Sequence, residues 1–312
     1  MDAPPADTGG GGDTGTDAPS APIIPDHLVI SEVSLRDGNR EFIEIFNPTK
    51  NEIDLSNYYL TDDHEYFKLA GIVAQNQVVG RSPGTGINVV LAANDFIARF
   101  PDGAKIPAAT TAVIALKFES IVNSFGVMPQ FAFTFTDVNN DLPARRMRPV
   151  PESTVPTIDE ASIELTNEGE GIVLFHWDQT SDRVEDVDML HAGTPDIDPN
   201  KLELKTGKGV DGPDADTTAT AYLRDELTLG FLPDLPPVVI GMPAPTDTHS
   251  FHRIAFELGE KNSGGNGITG HDETSEKIGT SWINNRNANP GIAPELCQAV
   301  GGTGQCKPVS PQ

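Results

Sequence analysis

Short stretches of alternating or clustered apolar residues recur along the chain from His27 onward. The first two, His27–Leu35 and Glu41–Asn47, are rich in β-branched and aromatic residues and flank an Asp37-Gly38 pair, which favours a hairpin turn. Further short strands are predicted at Ile53–Leu55, Tyr58–Thr61, Ile72–Val79, Asn88–Leu91, Thr111–Leu116, Phe131–Phe135, Ser162–Thr166, Ile172–Phe175, Val184–Leu190 and Ser250–Phe256. Many short strands separated by turn signals indicate an all-β fold, a β-sandwich.

Two short helices interrupt this pattern. One is predicted to begin at Asn94 or Asp95 and to end before Pro101, because Pro cannot continue a helix. The other covers Phe118–Phe125, whose apolar residues follow helical spacing, and Gly126 supplies its C-terminal cap. Exposed loops are predicted at 142–160, 191–218 and 257–280.

The net charge of the chain limits the classes of partner that it can bind. Its 46 acidic and 21 basic residues give a formal net charge of −25, which argues against nucleic acid and anionic membranes and leaves cations as candidate partners. The apolar runs are all far shorter than the roughly 18 residues of a membrane-spanning helix, so the protein is not predicted to span a membrane.

The two ends differ from the middle in composition. Residues 1–26 are acidic, rich in Pro and Gly and free of bases, which predicts a disordered, extended spacer. The first residues lack the features of a signal peptide, so the chain is either cytosolic or the mature form of an exported protein. The remainder of the sequence favours the second alternative. At the other end, residues 295–312 carry the only cysteines, Cys297 and Cys306. Such a close pair predicts a disulfide in an oxidising compartment; two free thiols are the alternative.

The run LVISEVSLRDGNREFIEIFNPTKNEIDLSNYYLTDD, from Leu28 to Asp63, resembles the start of a lamin tail domain. The matching residues are Ile30, Glu32 and Val33, then Phe42–Pro48, then Asp54, Leu55, Ser56, Tyr58, Leu60, Thr61 and Asp62. The later segments SFHRI and SWINNRNANPG resemble the terminal strand of that family and its Trp…Asn-x-x-Pro-Gly ending. Over about residues 28–292 the chain resembles the longer bacterial members of this family.

This resemblance implies an Ig-like β-sandwich over 27–294, used for binding or tethering, with large insertions at about 120–245 because compact sandwiches need only about 100 residues. It implies a secreted or surface location and transfers no catalytic residues. Glu32, Glu44 and Asn47 are interpreted as fold determinants that satisfy backbone groups.

Two acidic loops are the candidate metal site. Asp196, Asp198 and Asn200 repeat the first half of a calcium-binding loop, and Asp211, Asp214 and Asp216 follow close behind. Converging loops of this kind can supply the six to eight oxygens that calcium needs. The alternative is that these residues are solvated turn residues, since turns are rich in Asp, Asn and Gly.

Two other charged groups have competing interpretations. Asp186 and Asp188 alternate with apolar residues in a predicted strand, which places both carboxylates on its solvent face. The cluster of Arg145, Arg146 and Arg148 either binds an acidic polymer or pairs with carboxylates of the protein itself.

The leading hypothesis is a non-enzymatic module for adhesion, tethering or envelope assembly, with a lipid anchor as one option, whose partners are envelope proteins or polysaccharides. The second is a calcium-dependent binding module for the same partners, with calcium as its only candidate cofactor. The third is a divergent hydrolase, which requires two acids with raised pKa in one cleft and takes Asp186 or Asp214 as candidates.

Overall fold

The computed structural model describes residues 25–35, 40–74, 79–80, 89–90, 95–135, 144–150, 163–166, 170–192, 205, 207–222, 248–255, 267–268, 281–294, 297–299 and 306–308. The acidic segment up to residue 24 and the Asp37-Gly38 turn lie outside these ranges, so both expectations stay predictions.

Short strands dominate the described residues. In chain order they are β1 (Val29–Ser34), β2 (Phe42–Phe46), β3 (Ile53–Asp54), β4 (Tyr58–Thr61), β5 (Val79–Gly80), β6 (Val89–Val90), β7 (Ile97–Arg99), β8 (Lys105–Ile106), β9 (Thr111–Lys117), β10 (Phe131–Thr134), β11 (Arg145–Arg146), β12 (Arg148–Pro149), β13 (Glu170–His176), β14 (Glu185–Ala192), β15 (Gly209–Val210), β16 (Thr220–Ala221), β17 (His249–Arg253), β18 (Trp282–Asn287), β19 (Cys297–Ala299) and β20 (Cys306–Pro308). The helices are α1 (Leu69–Ala74), which continues a 3-10 turn at Tyr66–Lys68, and α2 (Phe118–Phe125).

Two sheets form the framework. The seven-stranded sheet has the order β11-β10-β9-β2-β1-β17-β18, and the five-stranded sheet has the order β12-β7-β4-β13-β14. One cluster of buried side chains draws on both sheets, with Ile43 and Ile114 from the first and Leu60 and Leu174 from the second. The predicted all-β sandwich with short helices is therefore confirmed.

Each sheet also buries part of its outer face. On the seven-stranded sheet, Phe118 and Ile121 of α2 pack against Phe42 of β2 and Val113 of β9. On the five-stranded sheet, Tyr66, Phe67 and Leu69, together with Val210 and Tyr222, cover Tyr59, Val173 and Phe175. Polar residues on these outer faces are thus removed from water wherever a helix or a loop crosses them.

Several sequence predictions of local structure were wrong. Residues 163–166 of the strand predicted at Ser162–Thr166 form no strand, and the exposed loop predicted at 142–160 contains the short strands β11 and β12. The helix predicted at 95–100 is strand β7, because Ile97 and Ala98 fill opposite sides of the five-stranded sheet. The strand predicted at Ile72–Val79 begins as helix α1, whose Leu69, Ala70 and Ile72 are buried against the sheet. The helix at Phe118–Phe125 is confirmed, and Gly126 ends it in the left-handed conformation at φ 68°.

Candidate functional site

Glu32 and Glu44 form a pair of buried carboxyl groups on neighbouring strands. The two residues are register partners of β1 and β2, and a β-bulge between Ile30 and Glu32 turns Glu32 toward the outer face of the sheet. Their relative exposures are 2% and 1%. His252 is the register partner of Glu32 on the other side, in β17, so three ionisable residues lie in a row across three strands.

The segment after β18 closes over this pair. The backbone N–H of Asn289 donates to Oε1 of Glu32 at 3.0 Å, and the N–H of Gly291 donates to Oε2 of Glu44 at 2.6 Å. Two hydroxyls complete the arrangement: Ser250 donates to Glu32 at 2.5 Å and Ser31 donates to Glu44 at 2.8 Å. The carboxyl groups therefore anchor the closing segment to the sheet.

Removal from water shifts the titration of all three groups. Burial raises the pKa of Glu32 to about 7 despite the bonds from Ser250 and Asn289. Burial also raises the pKa of Glu44 to about 8, and the neighbouring Glu32 adds to the shift. Burial, with the positive charge of Arg286, lowers the pKa of His252 to about 4. At neutral pH this row thus holds a neutral imidazole and carboxyl groups that keep much of their proton.

A cavity of about 200 Å³ adjoins the pair and is lined by Ser31, Glu32, Glu44, His252, Arg253, Arg286, Asn289, Ile292, Ala293 and Pro294. Two acids with raised pKa in one cavity are what a hydrolase of this type requires. The sequence analysis had instead interpreted both glutamates as fold determinants that satisfy backbone groups. Each of them accepts a hydrogen bond from a backbone N–H, which confirms that interpretation. Asn47 is confirmed in the same role, because its side chain donates to the carbonyls of Asn51, Ile106 and Pro107.

A second acidic cluster joins Asp182, Asp211 and Asp214, whose carboxylate oxygens lie within 4.8 Å of one another. Asp182 accepts the N–H of Gly212 at 2.9 Å and the hydroxyl of Thr220, and these bonds lower its pKa. Asp211 Oδ1 is buried and has no hydrogen-bond partner among the described residues. A cleft of about 400 Å³ opens beside Asp182 and Asp214.

The structure brings together only part of the predicted calcium set. Asp211 and Asp214 converge, but their partner is Asp182, which does not belong to either predicted loop. Asp216 belongs to the turn, where its N–H donates to Asp214 at 3.0 Å and its carboxylate accepts the N–H of Thr218 at 2.6 Å. Asp196, Asp198 and Asn200 lie outside the described residues.

Asp186 and Asp188 were predicted on a solvent face, and this prediction was wrong. They are 2% and 1% exposed. Asp186 forms an ion pair with Lys205, and Asp188 forms one with Arg253. A bulge between Leu174 and Phe175 breaks the regular alternation, so a period of two could not locate these side chains.

One arginine of the predicted cluster, Arg148, pairs with a carboxylate of the protein itself, which agrees with one of the two interpretations. Arg148 donates to Asp102 Oδ2 at 2.5 Å, and Arg99 donates to Asp102 Oδ1 at 2.7 Å. Arg145 donates to the carbonyl of Asp102 at 2.5 Å. Arg146 lies over the ring of Phe135 at 4.9 Å.

The two cysteines lie in one hairpin. Strands β19 and β20 pair antiparallel, and the register places Cys297 opposite Pro308 and Cys306 opposite Ala299. The cysteines are therefore diagonal neighbours rather than direct partners, and the disulfide stays a prediction. Within the described segments, no helix is long and apolar enough to cross a lipid bilayer.

Comparison with known proteins identifies no family for the chain. No family model matches it, and no curated protein matches it. A crystal structure of a DUF4876 family protein from Bacteroides thetaiotaomicron VPI-5482 is similar at 13% sequence identity and a TM-score of 0.35, over 91% of this chain and 74% of the other.

Proposed function

We propose that this protein is a non-enzymatic module that acts outside the cell or at its surface, in adhesion, tethering or envelope assembly. The observation that carries the proposal is the way in which Glu32 and Glu44 are hydrogen-bonded. They are the carboxyl pair best placed for acid–base chemistry, yet each accepts a backbone N–H from the segment 289–291. Groups held in this way stabilise a closed sandwich rather than present a reactive oxygen to a substrate.

Three sequence features support the location. The chain resembles the lamin tail domain family over about residues 28–292, residues 1–26 are acidic and rich in Pro and Gly, and its cysteines occur as one close pair. Together they favour a secreted or surface-exposed protein, with a lipid anchor as one option, whose partners are envelope proteins or polysaccharides.

The proposal is tested by co-sedimentation of the full chain with isolated bacterial envelope, prepared once with its proteins intact and once after protease treatment. Saturable binding is expected, and loss after protease would assign a protein partner rather than a polysaccharide. An unrelated acidic globular protein serves as the control for charge. Absence of saturable binding to both preparations, or release of soluble sugar during incubation, would contradict the proposal.

Two exposed apolar residues mark a surface region where a substitution can test partner binding. Met128 and Ile292 are 46% and 60% exposed. They lie near each other, because a Cβ added at Gly291 would be 3.5 Å from Val127 Cγ1. Ile292→Asp should weaken binding if this region contacts the partner, while Thr218→Asp, on an exposed turn, should not.

A calcium-dependent binding module is the second candidate. It is favoured by the convergence of Asp182, Asp211 and Asp214 and by the unpartnered Oδ1 of Asp211, because calcium takes carboxylate oxygens. In this case envelope binding would require calcium and disappear in chelator.

A further inference from the structure

Lys205 and Asp186 form an ion pair inside the apolar layer that covers the five-stranded sheet. Their side chains are 4% and 3% exposed. Asp186 lies in β14, and Lys205 lies 19 residues further along the chain. The pair therefore connects a strand of the sandwich to the segment that precedes the β15–β16 hairpin.

Aromatic side chains enclose this pair. The Tyr66 hydroxyl donates to Asp186 Oδ1 at 2.6 Å and accepts a hydrogen bond from Lys205 Nζ at 3.1 Å. Nζ also lies 5.6 Å from the centre of the Tyr66 ring and 5.9 Å from that of Tyr222. One hydroxyl thus touches both the amine and the carboxyl group.

Such surroundings disfavour separated charges. Burying an ammonium and a carboxylate is costly, and transfer of one proton between them gives a neutral amine beside a neutral acid. The two groups are held in contact and are almost fully buried, so their effective concentration is very high. These are the conditions under which an amine can condense with a carboxylic acid.

We propose that Lys205 and Asp186 form an intramolecular isopeptide bond. The Nζ lone pair attacks Cγ of Asp186, whose proton lies on Oδ1; a C–N bond forms, and the Cγ=Oδ2 π bond opens. A proton then leaves Nζ, a second proton reaches Oδ1, the Cγ–Oδ1 bond breaks, and water departs. Oδ2 remains as the amide carbonyl oxygen. One amine and one acid give one amide and one water, so no oxidant, reductant or activating nucleotide is needed.

Tyr66 is the catalytic residue of this step. Because its hydroxyl accepts from Nζ and donates to Oδ1, it can take the proton that the amine loses while giving one to the departing oxygen. The result would be a covalent tie between β14 and the outer layer. This site is separate from the surface function proposed above and does not depend on it.

The test is the intact mass of the purified full chain in denaturant with reductant, compared with Lys205→Arg prepared in parallel. After correction for the substitution, the wild type is expected to be lighter by one water molecule. Lys208→Arg, at an exposed lysine three positions away, should keep the loss. Equal corrected masses for the wild type and Lys205→Arg would overturn the proposal.

Peptide mapping of the wild type alone gives a second test that needs no variant to fold. The peptides containing Asp186 and Lys205 should be recovered as one branched species. Water can also be lost at Asp-Gly pairs such as Asp102-Gly103, but this leaves the two peptides separate, and that outcome would overturn the proposal. Tyr66→Phe should cross-link at least tenfold more slowly; an unchanged rate would overturn the role of Tyr66.

Discussion

Arg253 donates from Nη2 to both carboxylate oxygens of Asp188, at 2.7 Å each. Arg253 belongs to β17 of the seven-stranded sheet and Asp188 to β14 of the five-stranded sheet, so the pair links the two layers. Its Nε also donates to the carbonyl of Ile30 at 2.7 Å, and Asp188 accepts the N–H of the same residue. The guanidinium lies over the Trp282 ring at 4.6 Å. A charged pair thereby satisfies backbone groups beside the β1 bulge.

Removing one member of this pair should destabilise the sandwich strongly. Asp188→Asn leaves the buried Arg253 charge without its counter-ion, and a loss of about 3–5 kcal/mol in the free energy of unfolding is expected. Urea denaturation followed by tryptophan fluorescence measures it. The exposed Lys105–Glu52 pair is the control, and Glu52→Gln should leave the denaturation midpoint unchanged. A midpoint for Asp188→Asn that equals the wild type would show that the link contributes nothing.

Stability should fall as the pH rises above neutrality. The folded pKa values of Glu32 and Glu44, about 7 and about 8, lie above the ordinary value of 4.5. The folded state therefore holds protons that the unfolded state has released, and the unfolding free energy decreases as pH rises through the folded values. A loss of about 2 kcal/mol is expected between about pH 6.5 and pH 8.5. His252, whose pKa is lowered, acts in the opposite direction, but only below its ordinary value of 6.5.

Glutamine variants isolate this effect. Glu44→Gln should flatten the dependence of unfolding free energy on pH over this window, and Glu32→Gln should do so to a smaller extent. Glu164→Gln, at an exposed position, is the control and should keep the wild-type slope. A Glu44→Gln slope equal to that of the wild type would mean that Glu44 titrates normally in the folded protein.

Gly212 is required by a close approach of two backbone segments. A Cβ at this position would lie 2.6 Å from the carbonyl oxygen of Ser181 and 2.7 Å from Cα of Asp182. Neither atom can move without shifting the backbone, so Gly212→Ala should cost about 1–3 kcal/mol. Gly209→Ala, whose Cβ would meet only the Ala219 Cβ at 3.4 Å, is the matched control for thermal melts. Equal melting temperatures for the two variants would refute the close approach.

Calcium should raise the melting temperature if Asp182, Asp211 and Asp214 hold the ion. A site that binds only the folded state contributes about 2.7 kcal/mol at 100-fold saturation. The melt is recorded in chelator, in calcium and in magnesium, with Asp211→Asn as the site variant and Asp216→Asn as the control for net charge. An equal small rise in both ions, or a rise that Asp211→Asn retains, would indicate screening of the negative charge instead.

The positions of several strands were accessible from the sequence. Tyr58–Thr61 is a strand with the predicted bounds, and the predicted strand at Thr111–Leu116 forms most of β9. Helix α2 was also accessible, because its apolar spacing and Gly126 give independent signals. The strand predicted at Ile72–Val79 was wrong over 72–74, because a short run of apolar residues fits a strand and a buried helix equally well.

What the sequence alone determined was the fold class, the acidic character and the assignment of Glu32, Glu44 and Asn47 to backbone bonding. Only the tertiary structure decided which distant groups meet. Asp188 with Arg253, Asp186 with Lys205, and Asp182 with Asp211 are pairs from separate segments, and two bulges reverse the face on which key side chains lie. The spacing of apolar residues within one segment indicates which of its faces is buried. Whether a charged side chain can be buried depends instead on a partner from a distant part of the chain.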